Sequence, residues 1–466
     1  MVYRKASNAL GNNQGATILP TVIEYSKTFT RLALGLDAQP HLIKNIDLTV
    51  RDEEGGRESL PERAANRIRE ALQKCLPSGP SPNVTRPEGK LKGVYVLANI
   101  CLKILWKTHP ASKNAEVIFR QLDTSSPLLR IYPWPERVTF LFHLGRFHFM
   151  TNHFYRAILC LQEAFDNCPS YRLKQRRTIL VYLVAASIIM GRFPSPSLYR
   201  LPEAKGFYER FEPICRAIKY SDLTTFRRLM SYDHANAPWF LHFKIFLQLE
   251  NRCEILVYRS LARRVFLLST QLKAEEAARA QAAGIEVKKD DGPPTLGLNY
   301  LTRAAQWLEW RYRNPISLSD GVPGQRHTVF ALYETHAQPP NFAQPRSVHP
   351  DFTGLSAAEL RDMDPDSEEP VPSLEEIECI VMSLIAQGLL AGFVSHAGRR
   401  FVINGMKGRG AEEVVKKGFR PVWESLREKA VKGAAGGEVK VPGWKTSETV
   451  FVGKTVHLAG ARAAGE

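Results

Sequence analysis

From Glu136 to Met190 apolar residues recur at helical spacing, and small residues stand where two helices would have to touch. Leu141, Leu144, Gly145, His148, Ala157, Leu161, Ala164 and Pro169 fall in the register of one tetratricopeptide-like unit, a repeat of about 34 residues. Gly145 and Ala157 let two antiparallel helices approach closely, Leu144 and Leu161 fill the seam, and Pro169 stops the second helix. A third helix is predicted from Lys174 to Met190. Its stretch from Ile179 to Val184 is apolar on every face and demands burial on more than one side. Such a hairpin cannot cover its own apolar face, so the flanking chain must supply neighbours.

Residues 1–15 are polar and rich in Gly and Asn, which predicts a mobile terminus. Residues 16–90 hold two predicted helices and a linker. The first helix, Ala16 to Leu36, has Pro20 near its start and Ile18, Val22, Phe29 and Leu32 among its apolar positions; the second runs from Pro61 to Leu76. Ser78-Gly79-Pro80-Ser81-Pro82 closes this region. Residues 91–250 read as helical repeats. They begin with the dense run Val94, Val96, Leu97, Ile100, Leu102, Ile104 and Leu105 and continue through Glu203–Tyr220, Ser221 as an N-cap, and Trp239–Leu249. Glu254 to Leu268 is another helix, in which Arg259, Arg263 and Arg264 alternate with Leu256, Leu261, Val265 and Leu268. No strand is predicted up to this point.

The Ala/Glu-rich 273–294 segment predicts an insertion made of a short exposed helix and a linker, and the Pro-, Asp-, Gly- and His-rich 311–371 segment a second one. Between them Leu296–Trp310 has helical spacing. Ser373 and Glu376 make a capping box, Ile377, Ile380, Val381, Leu384 and Ile385 form one face, and Gly388 ends the helix. Two strand-like runs, Leu389–Val394 and Phe401–Ile403, flank a turn at His396–Arg400. Helix, strand, glycine turn and strand predict a winged helix over 251–405, with Arg399 and Arg400 on its wing. Residues 406–466 read as a basic, partly mobile tail, mobile from Gly433 onward, with Val441-Pro442-Gly443-Trp444 as a candidate docking motif.

Charge changes the picture of what the helices are for. Lys and Arg number 63 against 47 Asp and Glu, a formal net charge of +16. That excess calls for an acidic partner: nucleic acid, an acidic protein or an anionic surface. Seven cysteines without a CxxC pair fit buried thiols in a reducing compartment. Neither a signal peptide nor an apolar run long enough to span a bilayer is visible, so a cytosolic or nuclear protein with no membrane insertion is expected.

A helical array capped by a winged helix, with Ala217-Ile218-Lys219-Tyr220-Ser221-Asp222-Leu223, Tyr258-Arg259-Ser260-Leu261-Ala262-Arg263-Arg264-Val265, Ile377 through Ile385 and Gly392-Phe393-Val394-Ser395-His396 in that order, resembles the PCI domain. That module is shared by the proteasome lid, the signalosome and a translation initiation factor. Leu144-Gly145-Arg146 and Arg177-Thr178-Ile179-Leu180-Val181-Tyr182-Leu183 look most like the branch holding the PCI subunit of the nuclear transcription-and-export complex and the signalosome-associated subunit twelve. The resemblance covers about Leu91 to Ile403. It implies a mainly α fold, tetratricopeptide-like repeats capped by a C-terminal winged helix. It also implies a large helical scaffold partner, a small acidic disordered subunit shared with the proteasome lid, and residence in the nucleus near the nuclear pore.

Enzymatic constellations are scarce. His143, His148 and His153 recur every five residues, which does not place them on one helical face as a zinc pair requires, and no Walker-type glycine loop is present. No catalytic, metal or cofactor site is expected. The candidate nucleic-acid surface, for RNA or for single- or double-stranded DNA, comprises Arg259, Arg263, Arg264, Arg399, Arg400, Lys407, Arg409, Lys416, Lys417 and Arg420, with Phe419 and Trp423 available to stack on bases. Arg172, Lys174, Arg176 and Arg177 form a second cluster suited to an acidic chain, or else a solvated helix end. Phe393 and Val394 face either the core or the scaffold partner. The expected function is a non-enzymatic scaffold of nuclear mRNA export; the alternative is a protein-only scaffold of a signalosome-like or lid-like assembly.

Overall fold

The computed structural model describes residues 2–42, 59–77, 84–108, 113–283, 292–313 and 372–432, apart from Asn13, Gly408 and Gly410. The chain forms two compact units that divide between Met150 and Thr151.

The first unit is helical: α1 (Val2–Leu10), α2 (Leu19–Asp37), α3 (Leu60–Cys75), α4 (Val94–Thr108), α5 (Lys113–Ser125) and α6 (Trp134–Met150). The terminus expected to be mobile is instead α1, which packs on α2 and α3. Polar composition hid its anchors. Leu10 is fully buried, Tyr3 stacks on Phe29 with ring centroids 5.4 Å apart, and the Tyr3 and Ser26 hydroxyls lie 3.0 Å apart. Ser59 begins α3 with a capping box, its Oγ accepting from the Glu62 N–H while the Glu62 carboxylate accepts from the Ser59 N–H. The apolar run from Val94 becomes α4, whose Leu97, Leu102 and Ile104 are fully buried. Tyr95 lies edge-on between Tyr132 (4.6 Å) and Phe140 (4.8 Å) and joins α4 to α6. Leu141, Leu144 and Gly145 are buried on α6.

The second unit continues with α7 (Phe154–Asp166), α8 (Leu173–Ile189), α9 (Pro196–Tyr199), α10 (Tyr208–Lys219), α11 (Leu223–Leu229), α12 (Ala237–His242) and α13 (Phe246–Ala282). Ala157, Leu161 and Ala164 are buried on α7, and every residue from Ile179 to Ala186 is buried on α8. Their all-round burial follows from neighbours on several sides: α8 packs on α7, on α13 and on the turn at Pro202–Ala204. Ser221 is not an N-cap. It sits at φ +53° past the end of α10, and Asp222 caps α11 by accepting from the Thr225 N–H at 3.0 Å. The helix predicted at 239–249 and the one at 254–268 give way to short α12 and a 37-residue α13. No breaker separates them, and the Ala-, Glu-, Lys- and Arg-rich stretch to Ala282 prolongs α13, so the expected insertion at 273–294 begins as helix.

After α13 the chain forms β1 (Thr295–Gly297), α14 (Leu298–Arg313), α15 (Leu374–Ala386), β2 (Phe393–Ser395) and β3 (Arg400–Val402). The sheet is antiparallel in the order β1-β3-β2, pairing Leu296 with Phe401 and Val394 with Phe401. Helix, strand, two helices and two strands in this order are a winged helix. Strand β1 is too short to show alternation, and the helical spacing that starts at Leu296 runs through it. The capping box at Ser373 and Glu376 is present, and Gly388 ends α15 at φ +76°. The basic tail, up to the point where mobility is expected, forms α16 (Ala411–Gly418) and α17 (Val422–Lys432). The 314–371 part of the second insertion, Lys288–Asp291 and the tail from Gly433, including Val441–Trp444, lie outside the described residues.

All seven cysteines are free thiols; six are buried and Cys379 is exposed. Burial pushes the Cys75, Cys101 and Cys215 thiols up to about 12, which keeps them unreactive. Among the described residues no helix is long and apolar enough to cross a membrane.

Candidate nucleic-acid interface

The wing is a turn fixed by its own backbone. The Gly398 N–H donates to Ser395 Oγ (3.3 Å), the Arg399 N–H to the His396 carbonyl (3.1 Å), and the Arg399 carbonyl accepts from the Leu298 N–H (2.9 Å). Arg399 takes φ +47° and, like Arg400, holds its side chain in solvent. Past the end of β3, Gly405 turns at φ +67° and the Lys417 ammonium lies against it, beside exposed Lys407. Lys416 and Lys417 occupy the last turn of α16, where the helix dipole favours cations. Arg409 and Arg420 are also exposed but pair with Glu413 (3.4 Å) and Glu428 (2.9 Å). Exposed positive charge thus stands at Arg399 and Arg400 on the wing, at Lys407 and Lys417 by the turn past β3, and at Lys416 on α16.

Other predicted residues are elsewhere. Arg259 is 8% exposed and donates to the carbonyls of Leu389 and Arg420. Burial lowers it to about 10, and it is a structural tie instead of a phosphate contact. Arg264 donates to the Tyr220 carbonyl at the end of α10 (2.7 Å), and Arg263 is exposed on α13. Phe419 is buried between Phe266 (5.6 Å) and Phe401 (6.4 Å), so it cannot receive a base. Trp423 is half-buried, covered by the Arg192 guanidinium at 4.6 Å and beside Tyr155. Sequence does not distinguish these core aromatics from exposed ones, because their burial comes from tertiary packing with distant partners such as Phe266, Phe401 and Tyr155.

The second cluster divides. Arg176 lies over Phe165, pairs with Glu203 at 2.7 Å and donates to the Phe165 and Cys168 carbonyls; Arg177 donates to the Glu203 and Lys205 carbonyls. Both fasten α8 to the turn at Pro202–Ala204. Arg172 and Lys174 remain exposed, joined by Lys205, which sequence reasoning missed because it is far along the chain.

The strand alternation resolves Phe393 and Val394. Val394 is in register with Phe401 on the core side, whereas Phe393 points outward and is 48% exposed. Tyr300, also missed, lies on the first turn of α14 with its ring against Gly297, the register partner of Arg400. The exposed face of α15 carries Glu375, Glu376, Cys379, Met382, Ser383 and Ala386, without a cation. A helix entering the major groove of a duplex needs polar and basic side chains on that face.

His143 is buried on α6, its ring stacked on Trp106, and burial lowers it to about 3. Among the described residues no group of three or more His, Cys, Asp or Glu side chains is placed to hold a metal.

Helices closed by a winged helix define a class of helical-repeat proteins whose last module presents a small sheet. No protein-family model matches the chain. It is similar to PCI domain-containing protein C1105.07c of Schizosaccharomyces pombe (strain 972 / ATCC 24843), 27% identical over 275 residues, 58% of each chain. The PCI domain-containing protein 2 homolog of Dictyostelium discoideum is 28% identical over 205 residues, 43% of this chain and 45% of its own. The protein CSN12 homolog of Gibberella zeae is 26% identical over 222 residues, 46% of this chain and 47% of its own. The matches thus span about half of these relatives' lengths. These similarities support a PCI-domain protein.

Proposed function

We propose that the chain is a non-enzymatic scaffold subunit of a nuclear, transcription-coupled mRNA-export complex, acting near the nuclear pore. In this reading it holds a larger helical partner and contributes a basic winged-helix surface to nucleic-acid binding. The observation that carries the reading is the group of exposed cations Arg399, Arg400, Lys407, Lys416 and Lys417, set beside the cation-free outer face of α15. Such a surface gains affinity by releasing phosphate counterions and is indifferent to duplex sequence. Similarity to PCI domain-containing protein 2 homologs supports the scaffold role, and the net charge of +16 supports an anionic partner. Arg172, Lys174 and Lys205 would meet a small acidic disordered subunit through weak exposed pairs.

A second reading, a protein-only scaffold of a signalosome-like or lid-like assembly, is favoured by the acidic and apolar outer face of α15 and by similarity to the CSN12 homolog. Binding of a fluorescent single-stranded RNA across a salt series separates the two. A linear fall of log affinity with log salt, at about −0.7 per phosphate contacted, supports the first. Salt-independent or absent binding, with and without the scaffold partner, supports the second.

A further inference from the structure

On the outer face of the winged-helix sheet, away from Leu296, Phe401 and Val394, the register sets Gly297 and Ser395 on either side of Arg400, and Thr295 and Phe393 on either side of Val402. A Cβ on Gly297 would lie 3.0 Å from Tyr300 Cδ2. The glycine therefore leaves its place on the face to the Tyr300 ring. The two rings therefore stand diagonally across the central strand β3, Tyr300 over Gly297 beside Arg400 and Phe393 beside Val402, two residues further along β3. Tyr300 is 59% exposed and Phe393 48%. Neither ring touches another aromatic, and the Tyr300 hydroxyl has no hydrogen-bond partner, among the described residues. These six sheet positions include no carboxylate, Arg399 on the wing is a further exposed cation, and Arg303 is exposed on α14 one turn after Tyr300.

We infer that this face is a base-stacking platform for single-stranded nucleic acid, with Tyr300 and Phe393 receiving successive unpaired bases and Arg399 and Arg400 holding the intervening phosphates. The inference rests on the nucleic-acid reading above and narrows it to unpaired strands. Exposed aromatic rings alone would suit a protein partner as well. Charge decides between them, since the face that carries both rings also carries Arg400 and has no carboxylate among its six sheet positions, an arrangement matched by planar bases joined by phosphates. A duplex keeps its bases stacked on one another, and the α15 face that would have to enter its groove presents Glu375 and Glu376.

The test is a cycle on the full chain with two probes, an oligouridylate and an abasic oligonucleotide of the same length. Tyr300→Ala and Phe393→Ala should each weaken oligouridylate binding about tenfold. Tyr300→Phe should bind as the parent does, and the abasic probe should not distinguish the alanine variants from the parent. Unchanged melting temperatures would exclude loss of fold as the cause. Equal losses on both probes, or alanine variants that bind oligouridylate like the parent, overturn the platform while leaving a salt-dependent basic surface standing. If the parent chain binds neither probe at any salt concentration, the nucleic-acid reading and the platform fall together, and the face belongs to a protein partner.

Discussion

The guanidinium of Arg259, in the middle of α13, donates to the main-chain carbonyl of Arg420, which follows the last turn of α16. Its Nε donates to the Leu389 carbonyl, just past α15 (3.2 Å). One buried cation thus satisfies carbonyls beyond the ends of two helices and ties α15 and α16 to the long helix α13. Arg259→Met should lower stability by about 3 kcal/mol, because two carbonyls lose a charged donor in a buried setting. Arg259→Lys should recover only part of that, since a single ammonium cannot replace the fork. Denaturant melts check both. Below the melting range the RNA affinity of Arg259→Lys should equal that of the parent, the opposite of what a phosphate contact would give.

Glu203 is 4% exposed and depends on Arg176 for neutralisation. Arg176→Met should cost about 3–5 kcal/mol by stranding that carboxylate. Arg176→Met combined with Glu203→Gln should be more stable than Arg176→Met alone, and a double-mutant cycle measures the difference. Additive losses would show that the pair is not coupled. Neither change should alter capture of an acidic peptide, which would instead respond to reversal of Arg172, Lys174 and Lys205.

Burial of His143 against Trp106 gives a pH dependence with a definite sign. The native imidazole is held down to about 3, first by desolvation and then by Arg146 and Lys103, whereas in the unfolded chain it titrates near 6.5. Between those values the unfolded chain takes up a proton that the native chain refuses, so this group's contribution falls as pH drops below 6.5. At pH 5 the loss is about 2 kcal/mol. Stability of the parent minus that of His143→Phe, measured at pH 7 and pH 5, isolates it; a difference unchanged with pH would refute the assignment.

Gly191 ends α8 at φ +78°, with the Arg192 N–H donating back to the Ser187 carbonyl at 2.7 Å. A Cβ there would lie 2.6 Å from Val422 Cβ on α17. Gly191→Ala should therefore cost about 2 kcal/mol, from left-handed strain together with the clash. Adding Val422→Ala should return the clash component only. Thermal melts of the single and double variants check this, and limited proteolysis should show α17 released first.

These positions show what the chain makes legible. The all-round apolar α8, the Ser373 capping box, Gly388 and the wing turn are local patterns, readable from a few adjacent residues. Strand β1 was hidden because it has three residues and exists through its pairing with β3, about a hundred residues away. The same limit explains Arg259, Arg176 and Phe419: each sits in a run that reads as surface or tail, and only a distant partner makes it internal. Tyr300 erred in the other direction. Nothing near it in sequence reveals that Gly297 leaves room for its ring beside Arg400. Cations on a turn were found by composition, whereas their division into ties and free surface required the fold.

That division makes the charge map testable residue by residue. Arg399 and Arg400 are exposed on the wing, Lys407 past β3 and Lys416 and Lys417 on the last turn of α16, whereas Arg409 and Arg420 already face Glu413 and Glu428. Each single-stranded phosphate contacted adds about 0.7 to the slope of log affinity against log salt. Arg399→Glu with Arg400→Glu, and separately Lys416→Glu with Lys417→Glu, should each flatten the slope by about one and a half, with melting temperatures unchanged. Reversal of Arg264, whose guanidinium is committed to the Tyr220 carbonyl, should leave the slope as it is. Arg409→Glu should weaken binding less than either pair does, since its charge is partly balanced by Glu413. A slope that falls equally for Arg264 and for the wing would mean that net charge, not this surface, attracts the strand. A slope untouched by the wing variants would move the interface off the winged helix altogether.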